Sequence, residues 1–220
     1  MKRKSFLSYL GLSFLSTFFF SAKPPLPSIL TTDCNDPITP PVPEGPFYKN
    51  EQLNRINITE NQKGIPIDYI FKVEDKNCKP ILGAIIDIWQ CNSEGHYSDF
   101  KQEHTDSEKW LRGYQQTNAH GMCRFTAVFP GWYEGRITHL HVKVVIDKED
   151  VLTTNCFFPK EIENEVYSSP LYPKGINPIT ISGDAELRVD KNTKRHDALV
   201  MQVEKDNNGK LIASYTIAVA

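Results

Sequence analysis

Several features that define other protein classes are missing from this chain of 220 residues. Its five cysteines form no C-x-x-C pair, which argues against a zinc ribbon. It has no basic patch, and 25 lysines and arginines stand against 27 acidic residues, so we expect no nucleic-acid partner. There is also no internal repeat and no convincing amphipathic helix. These absences point away from solenoids and helical bundles and towards an ordinary globular domain.

The chain also lacks an apolar run of the length that usually spans a membrane. The uncharged, mostly apolar run from Ser5 to Phe20 is short, and it lies between the basic residues Lys2–Lys4 and the small residues Ser21 and Ala22. This order predicts a secretory signal peptide over residues 1–22. Phe20 fits poorly at the third position before the cut, so an uncleaved anchor is the alternative.

The signal predicts a secreted, periplasmic or otherwise extracytoplasmic protein. No Leu-x-x-Cys pattern ends the apolar run, so we expect no lipid anchor and no stable membrane partner after cleavage. Cleavage would remove Lys2, Arg3 and Lys4 and lower the formal net charge from −2 to −5. The remaining residues are enough for one domain with its own core.

All five cysteines lie in the part of the chain that export would retain. They are Cys34, Cys78, Cys91, Cys123 and Cys156. An odd number permits at most two disulfides and leaves one thiol, and export makes disulfides an expectation. Their spacing does not determine the pairing.

Prolines and short apolar segments divide the exported part into an arm and a domain. Residues 23–46 hold eight of the fifteen prolines, which predicts an extended arm without helix. Residues 47–220 form the predicted domain, with a long loop from Pro159 to Thr180. The predicted strands are Tyr69–Val73, Ile81–Gln90, Met122–Phe129, Val151–Phe158, Ala198–Glu204 and Leu211–Val219. Short strands separated by turns predict an all-β fold, a two-sheet β-sandwich with long loops and little helix.

A further predicted strand carries two histidines. Leu140 and Val142 alternate with His139 and His141, so the two-residue period places both imidazoles on one face. A strand fixes two such rings side by side, which suits a metal ion. Six residues before His139 stands Tyr133, in a turn rich in proline and glycine that can bring its phenol over the same face.

A second tyrosine can reach this face from another strand end. Tyr97 follows the predicted strand Ile85–Gln90 and a turn at Gly95, in the position where rigid scaffolds often carry site residues. Two histidines and two tyrosines are an unusual ligand set. A phenolate is a hard, anionic oxygen donor, so this set matches a trivalent cation better than zinc or Cu(I).

Five sequence blocks, in order along the chain, resemble the intradiol ring-cleavage dioxygenases of the catechol and protocatechuate type. The blocks cover roughly residues 44 to 160; they are Glu44–Tyr48, Pro80–Ala84 with Trp89–Gln90, Gly95–Ser98, Leu111–Gly113 and Pro130–His141. The resemblance implies a β-sandwich enzyme with non-haem Fe(III), here of a secreted, single-domain type. Its partners are expected to be a small aromatic diol and O2, and its product a muconate-type diacid.

The resemblance also implies roles for individual residues. The expected Fe(III) ligands are Tyr97, Tyr133, His139 and His141, of which Tyr133 and His141 are axial. Tyr133 is expected to leave the metal and accept a catechol proton, which makes it both a ligand and a base. Arg136 is expected to stabilise the negative charge that develops on the ring. His96, next to Tyr97, is expected either to line the pocket or to lie outside it.

One position departs from the family's pattern. Asn155 stands where the family usually has a glutamine that acts together with the arginine. Asparagine keeps the amide but is one methylene shorter, so we expect activity to be lowered or redirected and not lost.

Two other kinds of function stay open at this point. The protein could be a secreted β-sandwich that keeps the metal site but acts only as a ligand-binding module. It could also be an unrelated His-x-His copper or zinc protein. The sequence does not fix the catechol that is used, and it leaves a homo-oligomer open.

Overall fold

The structure is a computed structural model that describes residues 38–187 and 196–220. The predicted signal peptide (residues 1–22), residues 23–37 of the predicted arm and Cys34 lie outside the described residues. Within the described ranges, no helix has the length and apolar character needed to cross a membrane.

Eight strands form two sheets in the described residues. The first sheet contains Pro66–Asp75 (β1), Met122–Val128 (β4), Gln202–Lys205 (β7) and Leu211–Val219 (β8). The second contains Ile85–Trp89 (β2), Arg112–Gln116 (β3), His139–Ile146 (β5) and Glu149–Phe157 (β6). The spatial orders are β4-β1-β8-β7 and β3-β2-β5-β6. Only the β1–β8 pair is parallel among these neighbours.

The two sheets bury their apolar faces in one core. Alternate residues of three strands are fully buried in one hydrophobic cluster. They include Tyr69 and Phe71 of β1, Ile88 of β2, and Leu140 and Val142 of β5. Complete burial of each such side chain stabilises the fold by roughly 1.5–3 kcal/mol. The predicted all-β sandwich is therefore confirmed.

The predicted loop from Pro159 to Thr180 contains a helix, Lys160–Tyr167 (α1), that the sequence patterns do not predict. Pro159 precedes its first turn, and Glu161 and Glu163 lie in that turn, where the helix dipole favours acidic side chains. An eight-residue helix is too short to show a clear apolar period.

The strand predicted from Ala198 to Glu204 starts later than expected. Residues His196–Leu199 form a 3-10 helix, and β7 begins at Gln202. Strand β3 is a further difference, because the sequence predicts no strand over residues 112–116. Its buried end begins with Arg112 and Gly113, so it lacks the apolar alternation that identifies a strand.

The described end of the arm joins the two sheets. The backbone amide of Thr39 donates to the carbonyl of Ala218 in β8 at 2.9 Å, and that of Val42 donates to Thr153 in β6 at 2.9 Å. This stretch contains no helix, in agreement with its prolines. The chain then turns at Phe47 and reaches the outer face of the second sheet.

Three of the cysteines are buried free thiols: Cys91, Cys123 and Cys156. A chain with five cysteines can then form at most one disulfide, which is fewer than the two that the count alone permits. Burial raises the pKa of all three thiols, to about 12 for Cys91 and Cys123. They therefore pack as small apolar groups and are poor nucleophiles.

Candidate metal centre

Strand β5 places His139 and His141 on the face of the second sheet that points away from the core. Leu140 and Val142 point into the core, so the alternation of the strand directs both imidazoles to the opposite side. Their Nε2 atoms lie 3.1 Å apart. His139 Nδ1 donates to the carbonyl of Ile137 at 2.6 Å, which leaves its Nε2 lone pair available. Metal-binding histidines commonly make this second contact.

Tyr97 reaches the same point from the loop that follows β2. Gly95 has φ +88°, and a β-carbon there would lie 2.3 Å from the carbonyl oxygen of Trp132. Glycine thus lets this loop lie directly against the turn that carries Tyr133. The Tyr97 hydroxyl is 3.5 Å from His139 Nε2.

Tyr133 approaches from the turn before β5. Its hydroxyl lies 3.2 Å from His139 Nε2, and its ring meets Tyr97 edge to face with centroids 5.8 Å apart. Three oxygen or nitrogen atoms therefore lie within 3.5 Å of His139 Nε2. Atoms bound to one metal ion at about 2 Å lie about 3 Å from one another, so this spacing is that of a ligand set.

Burial sets the protonation of these four side chains. It lowers the pKa of His139 and His141, and the Arg136 charge lowers both further, so both imidazoles are neutral. Burial also raises the pKa of Tyr97 and Tyr133. The phenols can therefore become ligands only if the cation is strong enough to displace their protons.

The donor atoms fit Fe(III) better than zinc or copper. Over the ranges that the structure describes, no group of three or more histidine, cysteine, aspartate or glutamate side chains is placed to hold a metal. The two imidazoles are joined only by phenols, which are hard oxygen donors. Such a set suits a trivalent cation, whereas zinc sites draw on nitrogen, sulfur and carboxylate ligands.

Arg136 lies beside the phenols and is almost completely buried. Its Nε donates to both carboxylate oxygens of Asp184, at 3.1 and 2.9 Å, and its Nη2 donates to Asn155 Oδ1 at 2.8 Å. Its Nη1 lies 3.4 Å from the Tyr133 hydroxyl and 2.8 Å from Glu186 Oε2. Burial alone would lower the pKa of Arg136, but Tyr133 and the two carboxylates outweigh it and raise the pKa. The guanidinium is therefore fixed in place and charged.

Asp184 ties the arginine to two segments of backbone. Its carboxylate accepts hydrogen bonds from the amides of Ile137 at 2.8 Å, Glu186 at 2.9 Å and Leu187 at 3.1 Å. Burial alone would raise the pKa of Asp184, but Arg136 and these donors lower it on balance. Asp184 thus holds the arginine against the turn before β5.

Asn155 lies directly opposite His141 in the β5–β6 pairing and is fully buried. Its Oδ1 accepts from Arg136, and its Nδ2 lies 2.9 Å from His141 Nδ1. A guanidinium can only donate, so the amide oxygen faces the arginine and the amide nitrogen donates to His141 Nδ1. The proton of the neutral His141 imidazole then lies on Nε2, and a cation bound there would have to displace it. The shorter amide therefore reaches both groups directly.

Two aromatic contacts hold the site from the side. Trp89 of β2 stacks on the His141 ring with centroids 4.7 Å apart and planes 5° from parallel. Phe47, which follows the arm directly, stacks on Tyr97 with centroids 4.2 Å apart and planes 6° from parallel. The chain just after the arm thus forms one wall of the site.

The structure brings together all six residues that the sequence singles out: Tyr97, Tyr133, Arg136, His139, His141 and Asn155. Their proposed chemical roles stay predictions. His96 lies outside the group, because its Nδ1 faces Glu103 on the surface.

Sequence reasoning misses the two carboxylates on the arginine. Asp184 and Glu186 lie in a segment without periodicity, and Asp184 is 48 residues from Arg136 along the chain. The only local signal is the sequence Ser182-Gly183-Asp184, which indicates a turn but no partner.

Comparison with known proteins agrees with this geometry. A family model described as "Dioxygenase" matches residues 42–218, most of the chain. The chain belongs to the intradiol dioxygenase family.

Catechol 1,2-dioxygenase 1 of Acinetobacter lwoffii is 28% identical over 139 residues, 53% of this chain and 45% of that protein. Catechol 1,2-dioxygenase of Candida albicans is 35% identical over 96 residues, 42% of this chain and 29% of that protein. The chain therefore spans less than half the length of these two relatives.

Solved structures match over more of the chain. An intradiol ring-cleavage dioxygenase from Tetranychus urticae superposes with a TM-score of 0.76 at 27% identity, covering 84% of this chain and 94% of that one. The dioxygenase domain of a carbohydrate-binding fusion protein from Streptomyces sp. SirexAA-E has a TM-score of 0.59 at 27% identity, covering 83% and 97%. Both solved structures share the two-sheet fold, and the family expected from the sequence is confirmed.

Proposed function

We propose that this protein is an Fe(III)-dependent enzyme that cleaves a catechol-type ring between its two hydroxyl-bearing carbons. Both atoms of O2 enter the product, a muconate-type diacid, so the reaction balances without an external reductant. The observation that carries the proposal is the meeting of two phenols and two imidazoles beside a buried, charged arginine. Relatives that carry the name catechol 1,2-dioxygenase support the substrate class.

In this proposal Tyr97, Tyr133, His139 and His141 hold the iron. Bound Fe(III) would chelate both catechol oxygens and make the ring carbon electron-rich enough for O2 to attack it. The protein's own contribution is to hold the four donor atoms together in a site that is closed on most sides. Three of these side chains are nearly inaccessible, at 1% for Tyr97, 3% for His139 and 1% for His141, whereas Tyr133 is partly exposed.

Tyr133 is the proposed proton acceptor. Tyr133 is the more exposed of the two tyrosines, and its oxygen lies near Arg136 Nη1. Tyr133 would serve as a metal ligand and, once free of the metal, as the base that takes one catechol proton, because burial raises its pKa. The neighbouring guanidinium can stabilise the phenolate until that proton arrives.

Arg136 and Asn155 provide the proposed electrostatic stabilisation. The guanidinium is pre-positioned by Asp184 and Asn155, so little reorganisation is needed when negative charge develops on the ring. Asn155 also contacts His141, and one amide therefore connects the arginine to a proposed ligand. This double contact is the reason to expect a working enzyme despite the missing methylene.

The test is to mix iron-loaded protein with catechol, first without oxygen and then with it. We expect a red-brown protein whose visible band shifts when catechol binds, followed by ring opening when O2 is admitted. Zinc-loaded protein is the control and should be colourless. A band shift without ring opening would favour the ligand-binding module, and a protein that binds only zinc or copper would favour the His-x-His alternative.

Export is a separate proposal, supported by the order of basic, apolar and small residues over positions 1–22. We expect a mature protein that starts near Lys23 and lies outside the cytoplasm. N-terminal sequencing of the protein from its native source checks this, and an intact Met1 on a cytoplasmic protein would contradict it.

A further inference from the structure

We propose that Glu186 determines which ring substituents the site accepts: it disfavours catechols with an anionic substituent and favours those with a cationic one. This inference rests on the proposed function, because it concerns the substrate of the same site. Its observations are the position of Glu186, the gap that it borders and the charge balance around Arg136.

Glu186 is held at the site by its neighbours in the chain. Asp184 is buried against Arg136, and Leu187 is buried in the small cluster that covers the outer face of the second sheet. Between them, the amide of Ala185 donates to the carbonyl of Gly135 at 2.8 Å. Glu186 is therefore fixed to the turn that carries the arginine, while its side chain is 28% exposed.

The missing side chain of Gly45 leaves a gap beside Glu186. A β-carbon at this position would lie 3.6 Å from His141 Cε1 and 3.8 Å from Glu186 Oε1. Cε1 is the carbon between the two nitrogens of the imidazole, so the gap opens next to the Nε2 atom that faces the other ligands. Gly45, Tyr133 and Glu186 are each partly exposed, whereas the remaining proposed ligands are buried. These three residues thus belong to the solvent-facing side of the site, and Glu186 borders it.

The charges on this side of the site do not cancel. Asp184 is buried, contacts Arg136 with both oxygens, and offsets the single positive charge. Glu186 is a second carboxylate on the same guanidinium, with Oε2 at 2.8 Å from Nη1. In the described part of the chain this oxygen has no hydrogen bond of acceptable geometry, so the contact is purely ionic. The charges of Arg136, Asp184 and Glu186 sum to −1, and Glu186 is the partly exposed member of this group.

This charge distinguishes substituents by sign. A carboxylate on the ring, para to one hydroxyl, adds a second negative charge close to Glu186, and an aminomethyl group in the same place adds a positive one. A partly exposed charge pair of this kind changes affinity by about threefold, and the opposite effects on the two substituents multiply to about tenfold in the ratio of their dissociation constants. A neutral methyl group is neither repelled nor attracted by the charge of Glu186.

The test uses three catechols of similar size: 3,4-dihydroxybenzoate, 4-methylcatechol and 3,4-dihydroxybenzylamine. Their dissociation constants are measured on the iron-loaded protein without oxygen, and kcat/KM is measured with oxygen. Glu186→Gln removes the charge and keeps the shape. Glu134→Gln is the matched control. Glu134 is exposed on the neighbouring turn, and its substitution removes the same charge from the protein.

In the parent protein we expect the benzylamine to bind more tightly than the benzoate. Glu186→Gln should reduce the ratio of these two dissociation constants by about tenfold. Glu134→Gln should leave this ratio within about twofold. The dissociation constant for 4-methylcatechol is the reference for each variant, because a change at Arg136 that affects all three rings alike cancels when the other two constants are divided by it. Circular dichroism checks that the variant is folded.

The outcomes separate this inference from the proposed function. If the binding ratio of Glu186→Gln equals that of the parent, the inference is wrong although ring cleavage stands. If the ratio changes as expected but no catechol is opened, Glu186 selects ligands in a protein that only binds them, and the proposed function fails. A parent protein that binds none of the three overturns both.

Discussion

At the scale of single residues, the chain departs from the family's pattern at Asn155. The two contacts of its side chain determine how the shorter amide affects activity. The amide reaches Arg136 and His141 directly, at 2.8 and 2.9 Å, and it is fully buried. Because both contacts are already at hydrogen-bond distance, one more methylene would have to displace a neighbouring group. The asparagine is therefore matched to its surroundings and is not a weakened glutamine.

Asn155→Gln should consequently lower activity on simple catechols and not raise it. The extra methylene overpacks a buried site, which destabilises a protein by about 1–3 kcal/mol. Asn155→Ala, which keeps the space but removes the amide, should lose about a hundredfold in kcat because Arg136 loses one of its positioning contacts. Denaturant unfolding and steady-state kinetics check both variants. A faster Asn155→Gln enzyme of parental stability would show that the short amide is a handicap.

Tyr133→Phe separates packing from chemistry at the proposed base. The retained ring still meets Tyr97 and Phe47 edge to face, so the fold should be unchanged. Without the hydroxyl, catechol turnover should fall by at least about a hundredfold, whereas most of the iron stays bound by the other three ligands. Metal analysis and kcat measure the two effects. His139→Ala is the comparison, because it should lose the iron itself.

Turnover of Tyr133→Phe at the parental rate would contradict the proton-accepting role. Loss of iron from Tyr133→Phe to the level of His139→Ala would instead show that this phenol acts chiefly as a ligand.

At the scale of elements, the sequence predicts those parts of the site that have a recognisable pattern within one strand or turn. The two-residue period of β5 identifies the face that carries His139 and His141, and the turn residues before it place Tyr133 nearby. Asp184 and Glu186 come from a loop far along the chain, and no period or spacing connects them with Arg136. Helix α1 and strand β3 escape prediction for a related reason, since one is short and the other lacks apolar alternation.

The contact between the arm and the second sheet contains a titratable group of its own. Asp87 of β2 lies opposite Lys143 of β5 and accepts a hydrogen bond from the Tyr48 hydroxyl at 3.1 Å. Burial raises the pKa of Asp87 to about 6, although Tyr48 and Lys143 act in the opposite direction. The folded protein therefore holds this proton more tightly than the unfolded chain does, and ionisation of Asp87 reduces stability.

This shift predicts a pH dependence. The destabilising effect of ionised Asp87 is absent below the ordinary pKa of 3.8 and complete above about 6. Relative to the parent, Asp87→Asn should therefore gain about 3 kcal/mol in the free energy of unfolding as the pH rises from 4 to 7. Urea unfolding at several pH values measures the difference. A difference that is flat or falls over this range would contradict the assigned cause.

At the scale of the whole molecule, the sandwich itself follows from the sequence, because short alternating strands and turns permit few other folds. Its core needs no metal, since the apolar faces of the two sheets pack together away from the proposed ligands. The proposed metal centre lies on the outer face of one sheet and would draw its ligands from β5 and two loops. Iron should thus stabilise a fold that already exists.

Removal of iron should therefore lower the melting temperature without unfolding the protein. A ligand present at a hundred times its Kd stabilises the native state by about 2.7 kcal/mol. For a domain of this size the shift in Tm is about 5–10 °C. Calorimetry of the iron-loaded and iron-free protein measures it, with His139→Ala as the variant that should show no shift. An iron-free protein that is unfolded at room temperature would contradict a core that is independent of the metal.

The most direct test of the central claim is cleavage of catechol by the iron-loaded protein under ¹⁸O2, with mass analysis of the product. Intradiol cleavage predicts a muconate-type diacid that contains both labelled oxygen atoms, formed repeatedly by each protein molecule. Arg136→Ala should bind iron but form this product far more slowly. A product opened beside the diol instead of between its carbons, or no ring opening with iron and catechol both bound, would contradict the claim.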